Sequence, residues 1–208
     1  MTSSSGTLIH ALADRGTSPG AAASVRIGTV VFFAILTAAS AQVSFPVPFT
    51  QVPFTLQPMV VLLAGLTLGS RLGALTQVAY LAAGLAGLPV FAASDVLPPG
   101  MLRLLGPTGG YLMSYPLAAY VTGALAERGF DRRYGTSVLA MAAGLAVVYA
   151  CGITWLGAFA RTAAGPVATG FRAAVLAGAY PFVLPDMVKL AAAAGIVPSL
   201  WTLLGRRD

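Results

Sequence analysis

The chain is 208 residues long, 57% hydrophobic and only 9% charged, with a mean hydropathy of +0.83. A soluble domain carries roughly 25% charged residues, so this composition excludes a water-covered globule and calls for lipid around much of the surface. The net charge of +6 would suggest nucleic acid in a soluble protein, but here the arginines stand in short intervals between apolar stretches and read as topology signals.

Residues 1–24 are rich in Ser, Thr, Ala and Gly and lack the apolar core of about 7–15 residues that a signal peptide requires. They are expected to form a poorly ordered cytoplasmic tail, with His10, the single histidine, carrying no function. Residues 25–208 are expected to form one membrane domain. A helix crosses a bilayer with roughly 17–25 apolar residues. No charge occurs between Arg26 and Arg71, between Arg71 and Asp95, between Arg103 and Glu127, or between Arg133 and Arg161. The stretch from Arg172 to Arg206 contains only Asp186 and Lys189. The predicted spans are 27–44, 58–70, 72–91, 108–126, 136–160 and 181–204, an all-α integral membrane bundle of six transmembrane helices.

The first span carries Ala34 and Ala38, four apart, a flat stripe suited to close helix packing inside the bundle. The loop after it, from Ser44 to Pro58, holds Pro46, Pro48, Pro53 and Pro58 and is expected to be rigid, extended and hairpin-like, because proline disfavours helix in its own residue and the one before. Within it, Val52-Pro53-Phe54-Thr55-Leu56-Gln57-Pro58 brings an aromatic ring and two neutral hydrogen-bonding side chains to the start of span two. Gln57 donates and accepts, which suits an amide- or urea-like ligand or, equally, a helix cap. A second proline-rich loop, Ala92 to Pro107, contains Pro98, Pro99 and Gly100. Span four opens with Gly106-Pro107-Thr108-Gly109-Gly110-Tyr111, where adjacent glycines permit close backbone approach, either of a neighbouring helix or of a polar ligand at the helix start.

Cys151 lies in span five, has no partner for an internal disulfide, and is read as packing. From Arg161 to Pro181 the chain is expected to be partly helical, with Phe171, Val175 and Leu176 on a face that lies along the membrane surface. Span six holds Asp186 and Lys189, three apart and so on one helix face. A charge inside a span costs about 2.5–3.5 kcal/mol, which pairing reduces. The two readings are an ion pair that pins one helix and a ligand site offering an acceptor and a donor.

Arginine counts set the orientation. Arg15, Arg26, Arg71, Arg128, Arg132, Arg133, Arg206 and Arg207 fall on the side of the termini and even-numbered loops, against Arg103, Arg161 and Arg172 on the other. The positive-inside bias places both termini in the cytoplasm and the proline-rich loops outside. Absences narrow the chemistry. The single lysine is followed by Leu190, so no P-loop exists, no His/Cys cluster offers a metal site, and no histidine stands ready to activate a serine. No catalytic residue is assigned, and ATP-driven work falls to a partner.

Together, Val52-Pro53-Phe54-Thr55-Leu56-Gln57, Gly87-Leu88-Pro89-Val90-Phe91, Gly106-Pro107-Thr108-Gly109-Gly110-Tyr111 and the Asp186…Lys189 pair resemble, in order, the BioY family, from about Arg26 to the C-terminus. These are biotin-specific S components of energy-coupling-factor (ECF) transporters. Where the family usually has Pro-Gly-Asp, this chain has Leu184-Pro185-Asp186. The resemblance implies a multi-pass protein of the bacterial inner cell membrane that captures biotin at its outer face. It also implies partnership with a transmembrane coupling protein and two cytoplasmic ATPases, with no cofactor, and makes Ala34 and Ala38 candidates for docking the coupling protein.

For biotin, Phe54, Phe91 and Tyr111 are expected to line the bicycle, and Asp186 to accept a ureido N–H. Thr55 and Gln57 complete the polar set, and Gly109 and Gly110 at the start of span four are further candidate binding residues. Lys189 would meet the ureido oxygen or the carboxylate, with Arg103 the rival carboxylate partner. Alternatives are an S component for thiamine or riboflavin, a solitary vitamin facilitator, and an intramembrane enzyme using Asp186 as a base.

Overall fold

A computed structural model of the chain describes residues 6–13, 18–47, 50–93, 97–98, 100–159, 161–162, 165–166 and 170–205. Of the positions used above, Arg15, Pro48, Asp95, Pro99, Arg206 and Arg207 lie outside the described residues.

The stretch expected to be a loose tail contains a helix, α1 (Leu8–Ala13). Its Leu8, Ile9 and Ala11 are buried, because apolar side chains in that short run find cover at one end of the bundle. The first long helix, α2 (Pro19–Gln42), begins well before residue 27. Ser18 caps it, its Oγ accepting from the Ala21 N–H at 3.3 Å, and Pro19 occupies the first turn, where its missing N–H costs nothing.

The all-helical expectation needs correction, because the described residues also form two short antiparallel strand pairs. Strands β1 (Ser44–Val47) and β2 (Thr50–Thr55) pair antiparallel, with Ser44 opposite Thr55, Phe45 opposite Phe54 and Val47 opposite Thr50. The register is irregular between Phe45 and Val47, where Pro46 has no N–H to give. The proline-rich loop is therefore a true hairpin, in keeping with its extended bias.

Helix α3 (Gln57–Leu68) has Pro58 in its first turn and meets α4 (Ser70–Leu85) across Gly69. Gly69 adopts φ +84°, a left-handed conformation that favours glycine. Helix α4 stops at Leu85 rather than continuing to residue 91. The chain turns at Gly87 (φ +93°) and folds back so that the Phe91 ring lies on Gly84. A Cβ there would stand 2.1 Å from Phe91 Cζ.

A single turn, α5 (Leu102–Leu105), leads into α6 (Gly109–Leu125), which widens into a π-type turn over Ala126–Phe130. Then come α7 (Tyr134–Ala158), the minimal pair β3 (Arg161–Thr162) and β4 (Gly165–Pro166), and α8 (Phe171–Gly178). The last expected span is two helices, α9 (Tyr180–Ala194) and α10 (Ile196–Leu203), separated at Gly195.

Small residues let the central backbones approach. A Cβ on Gly65 would sit 2.4 Å from the Ala119 carbonyl oxygen, and one on Gly123 would sit 2.3 Å from the carbonyl carbon of Gly69. This knits α3, α4 and α6, the pattern of helices packed without a hydrophobic driving force between them. The stretches Pro19–Gln42, Tyr134–Ala158 and Tyr180–Leu203 are long and apolar enough to cross a membrane, and Gln57–Leu68 is a shorter apolar helix. Ile27 and Ile35 on α2 are 65% and 63% exposed, surface that only lipid covers favourably. The protein is a mostly helical membrane protein.

At the end of the bundle opposite the hairpin, α1 packs against α2, α3 and α10. There Glu127 Oε1 accepts from both the N–H and the hydroxyl of Ser70 at 2.8 Å, capping α4. Nearby, the fully buried Asp131 accepts from the Trp201 indole N–H at 2.7 Å. The Arg132 guanidinium lies 4.1 Å from the Trp201 ring centroid and its Nε 3.6 Å from Asp131 Oδ1. Burial pushes the Asp131 carboxyl up to about 6, with the Trp201 hydrogen bond and the Arg132 charge pulling it partly back.

Candidate ligand-binding site

Beneath the hairpin lies a cavity of about 290 Å³, near the lower edge of the roughly 300–1,000 Å³ usual for small-molecule pockets. Its wall combines the β1–β2 hairpin and the α4–α6 connection with the start of α3 and with α6, α7, α8 and α9. Of the residues expected from sequence, Phe54, Thr55, Gln57, Phe91, Arg103, Tyr111 and Asp186 all line it.

Each is held by a nameable contact. Phe54, on β2, stacks on Phe182 of α9, with ring centroids 6.5 Å apart and planes 14° apart. The buried Gln57 gives its Nε2–H to the Tyr80 hydroxyl at 2.7 Å, and that hydroxyl donates to the Val90 carbonyl at 3.2 Å. Gln57 thus braces the turn that returns Phe91, whose ring meets Tyr80 edge-on at 5.5 Å. Tyr111 donates its hydroxyl to the Gly178 carbonyl at 2.8 Å. A Cβ on Gly152 would meet the Tyr111 ring at 2.2 Å, so that glycine makes room for the ring.

Arg103 is 8% exposed. Its Nε donates to the Pro98 carbonyl at 3.1 Å and its Nη1 to the Ala92 carbonyl at 2.8 Å, stapling the second proline-rich segment over the cavity. Burial draws its pKa below the ordinary arginine value, yet a guanidinium stays charged in proteins.

On α9, Phe182, Asp186 and Leu190 are buried at intervals of four, one helix face turned inward. Asp186 Oδ2 accepts from the Tyr149 hydroxyl of α7 at 2.6 Å, and Oδ1 pairs with the Lys189 ammonium. Lys189 also donates to the Thr55 carbonyl at 2.6 Å and stands 4.0 Å from the Phe54 ring centroid, a cation–π distance. Lys189 is therefore committed to Asp186 and the hairpin, and it is not among the cavity-lining residues. Lys189 thus ties α9 to the hairpin, while Asp186 faces the cavity.

Gly109 and Gly110 do not line the cavity. A Cβ on Gly109 would lie 1.8 Å from the Leu104 carbonyl oxygen, and one on Gly110 would lie 2.2 Å from Trp155 Cβ. They serve close packing, while Trp155 donates its indole N–H to the Gly106 carbonyl at 2.9 Å. Ala34 and Ala38 are half-buried and pack on the bundle's own core.

Sequence reasoning misses Tyr149, Tyr115 and Phe182, all cavity-lining. Phe182 and Tyr115 each stand four residues from an expected site residue on the same helix, so helical periodicity is the available signal. Nothing local marks Tyr149.

A match to the BioY family covers residues 15–206. The chain is 40% identical over 174 residues to "Probable biotin transporter BioY" of Pyrococcus horikoshii, covering 84% of this chain and 94% of that protein. It is 37% identical over 148 residues to "Biotin transporter BioY" of Thermotoga maritima, covering 71% and 80%. The match to "Biotin transporter BioY" of Rhizobium etli is 34% identical over 173 residues, covering 80% and 87%. The fold is similar to the crystal structure of the S-component for biotin from an ECF-type ABC transporter, with a TM-score of 0.72 and 23% identity, covering 90% of this chain and 95% of the other. With its hairpin-covered cavity carried on a lipid-facing helical bundle, the chain belongs to the BioY family.

Proposed function

We propose that this protein is the biotin-binding S component of an ECF uptake transporter, capturing the vitamin at the outer membrane face for delivery inward. One observation carries the reading. The cavity is lined mainly by rings and aliphatic side chains, and the charged groups among its described lining residues are Asp186 and Arg103. Biotin presents the complement: an apolar bicycle, a ureido group with two N–H donors, and a carboxylate. Asp186 accepts a ureido N–H, and Phe54, Phe91, Tyr111 and Phe182 cover the bicycle. Arg103, bonded so far only to neutral carbonyls, meets the carboxylate. Lys189 is the weaker partner for that carboxylate because Asp186 and Thr55 already hold it. The names of the relatives, biotin transporters throughout those cited, support transport rather than catalysis.

In this reading α2, α3, α4, α6, α7 and α9–α10 are the six spans, with the hairpin end outside and the N-terminal tail and C-terminus in the cytoplasm of a bacterial inner membrane. The arginine bias supports the orientation. Helix α2, which carries Ala34 and Ala38, is the least covered of the three long apolar stretches and is the docking helix for a transmembrane coupling protein driven by two ATPases.

Calorimetry on the purified protein with biotin, thiamine and riboflavin tests the substrate. Heat of binding with biotin alone is expected, and no binding of biotin would overturn the reading.

A further inference from the structure

We propose that Tyr149 is a positioning residue whose hydroxyl, donated to Asp186, aims that carboxylate at an N–H donor of the ligand. The inference rests on the biotin reading of the cavity.

Asp186 and Lys189 stand three apart on α9, so the pair by itself needs no other helix. Left to that contact, the carboxylate would lie along α9 toward an ammonium outside the cavity wall, and the terminal torsion of an aspartate is broad enough to allow it. Tyr149 changes the outcome. It approaches from α7, lines the cavity beside Asp186, and takes Oδ2 at 2.6 Å while Lys189 holds Oδ1. Two donors from two helices fix the plane of the carboxylate. An ionised carboxylate has about four lone-pair positions, so two remain for a ligand in the cavity that Asp186 lines. Tyr149 itself adds no charge, and its O–H donates a hydrogen bond to Asp186. It acts on affinity through the aim of its neighbour, and its effect is confined to ligands that offer Asp186 an N–H.

The experiment compares Tyr149→Phe with the parent protein in detergent by titration calorimetry. The probes are biotin and the two cyclic carbamate analogues in which a ring oxygen replaces one or the other ureido N–H. Biotin is expected to bind Tyr149→Phe about ten-fold more weakly, or worse. For the analogue lacking the N–H that faces Asp186, the two proteins are expected to bind within about two-fold of each other. A misfolded fraction lowers the number of sites rather than the dissociation constant, so partial loss of fold does not imitate this pattern. Equal biotin affinity in variant and parent would overturn the inference, as would an equal loss for biotin and both carbamates, which marks a purely structural role. A parent protein that binds no biotin would instead overturn the substrate reading, and the inference with it.

Discussion

The Lys189 ammonium donates to the Thr55 carbonyl at 2.6 Å across 134 positions of sequence, and so ties the last long helix to the hairpin that roofs the cavity. The same nitrogen neutralises Asp186. One lysine thereby compensates the buried carboxylate and holds the roof in place.

Replacing Lys189 by Met leaves Asp186 buried without its counter-charge and the hairpin without its tether. Breaking one partner of a buried pair costs about 3–5 kcal/mol. The variant is expected to melt well below the parent and to exchange the amide hydrogens of Ser44–Thr55 faster. Unchanged exchange in that segment would show that the hairpin holds without Lys189.

Arg103→Met removes the charge assigned to the ligand carboxylate. Hydrogen bonds to charged groups contribute about 1.5–3 kcal/mol, so biotin is expected to bind at least ten-fold more weakly. Biotin amide, which has no carboxylate, is expected to lose much less. Competition binding with both ligands reads the difference, and equal losses would assign Arg103 to holding the loop alone.

Two glycines separate packing from ligand contact. Gly110→Ala places a methyl against Trp155 and is expected to cost about 1–3 kcal/mol of stability by overpacking, with little change in the affinity of the folded fraction. Gly84→Ala displaces the Phe91 ring from the cavity wall and is expected to weaken biotin binding directly. Thermal melting and calorimetry on the two variants distinguish the effects.

Asp131 makes stability depend on pH. Its carboxyl is raised to about 6 from an ordinary 3.8, so the native state holds the proton more tightly than the unfolded chain. Stability therefore falls as pH rises from about 4 to about 6 and levels off above, by at most about 3 kcal/mol. Asp131→Asn keeps an acceptor for Trp201 and is expected to remove this slope. Melting temperatures between pH 4 and pH 8 check it, and parallel profiles for parent and variant would refute the assignment.

Much of the site is legible in the order of residues alone. Phe54, Thr55, Gln57, Tyr111 and Asp186 are marked by polar or aromatic groups set beside prolines, glycines or a costly intramembrane charge, Phe91 by the family motif that contains it, and all line one cavity. Gly109 and Gly110 carry the same kind of signal but meet Leu104 and Trp155, since a glycine pair looks alike whether a helix or a ligand approaches it. Helix α1 escapes a reading of the tail because six residues have too little apolar surface to stand out. Its order comes from the bundle end that covers it.

The sequence by itself determined that this chain lives in lipid, where its apolar stretches fall and which stretch carries buried charge, because the cost of placing a residue in a bilayer is incurred locally and adds along the chain. Only the tertiary structure decided what those charges do. That Asp186 meets Tyr149, that Lys189 reaches Thr55, and that Arg103 is stapled to Ala92 and Pro98 all depend on backbones brought together by packing. Hydrogen bonds of fixed length and direction are satisfied only after that packing has set the distances.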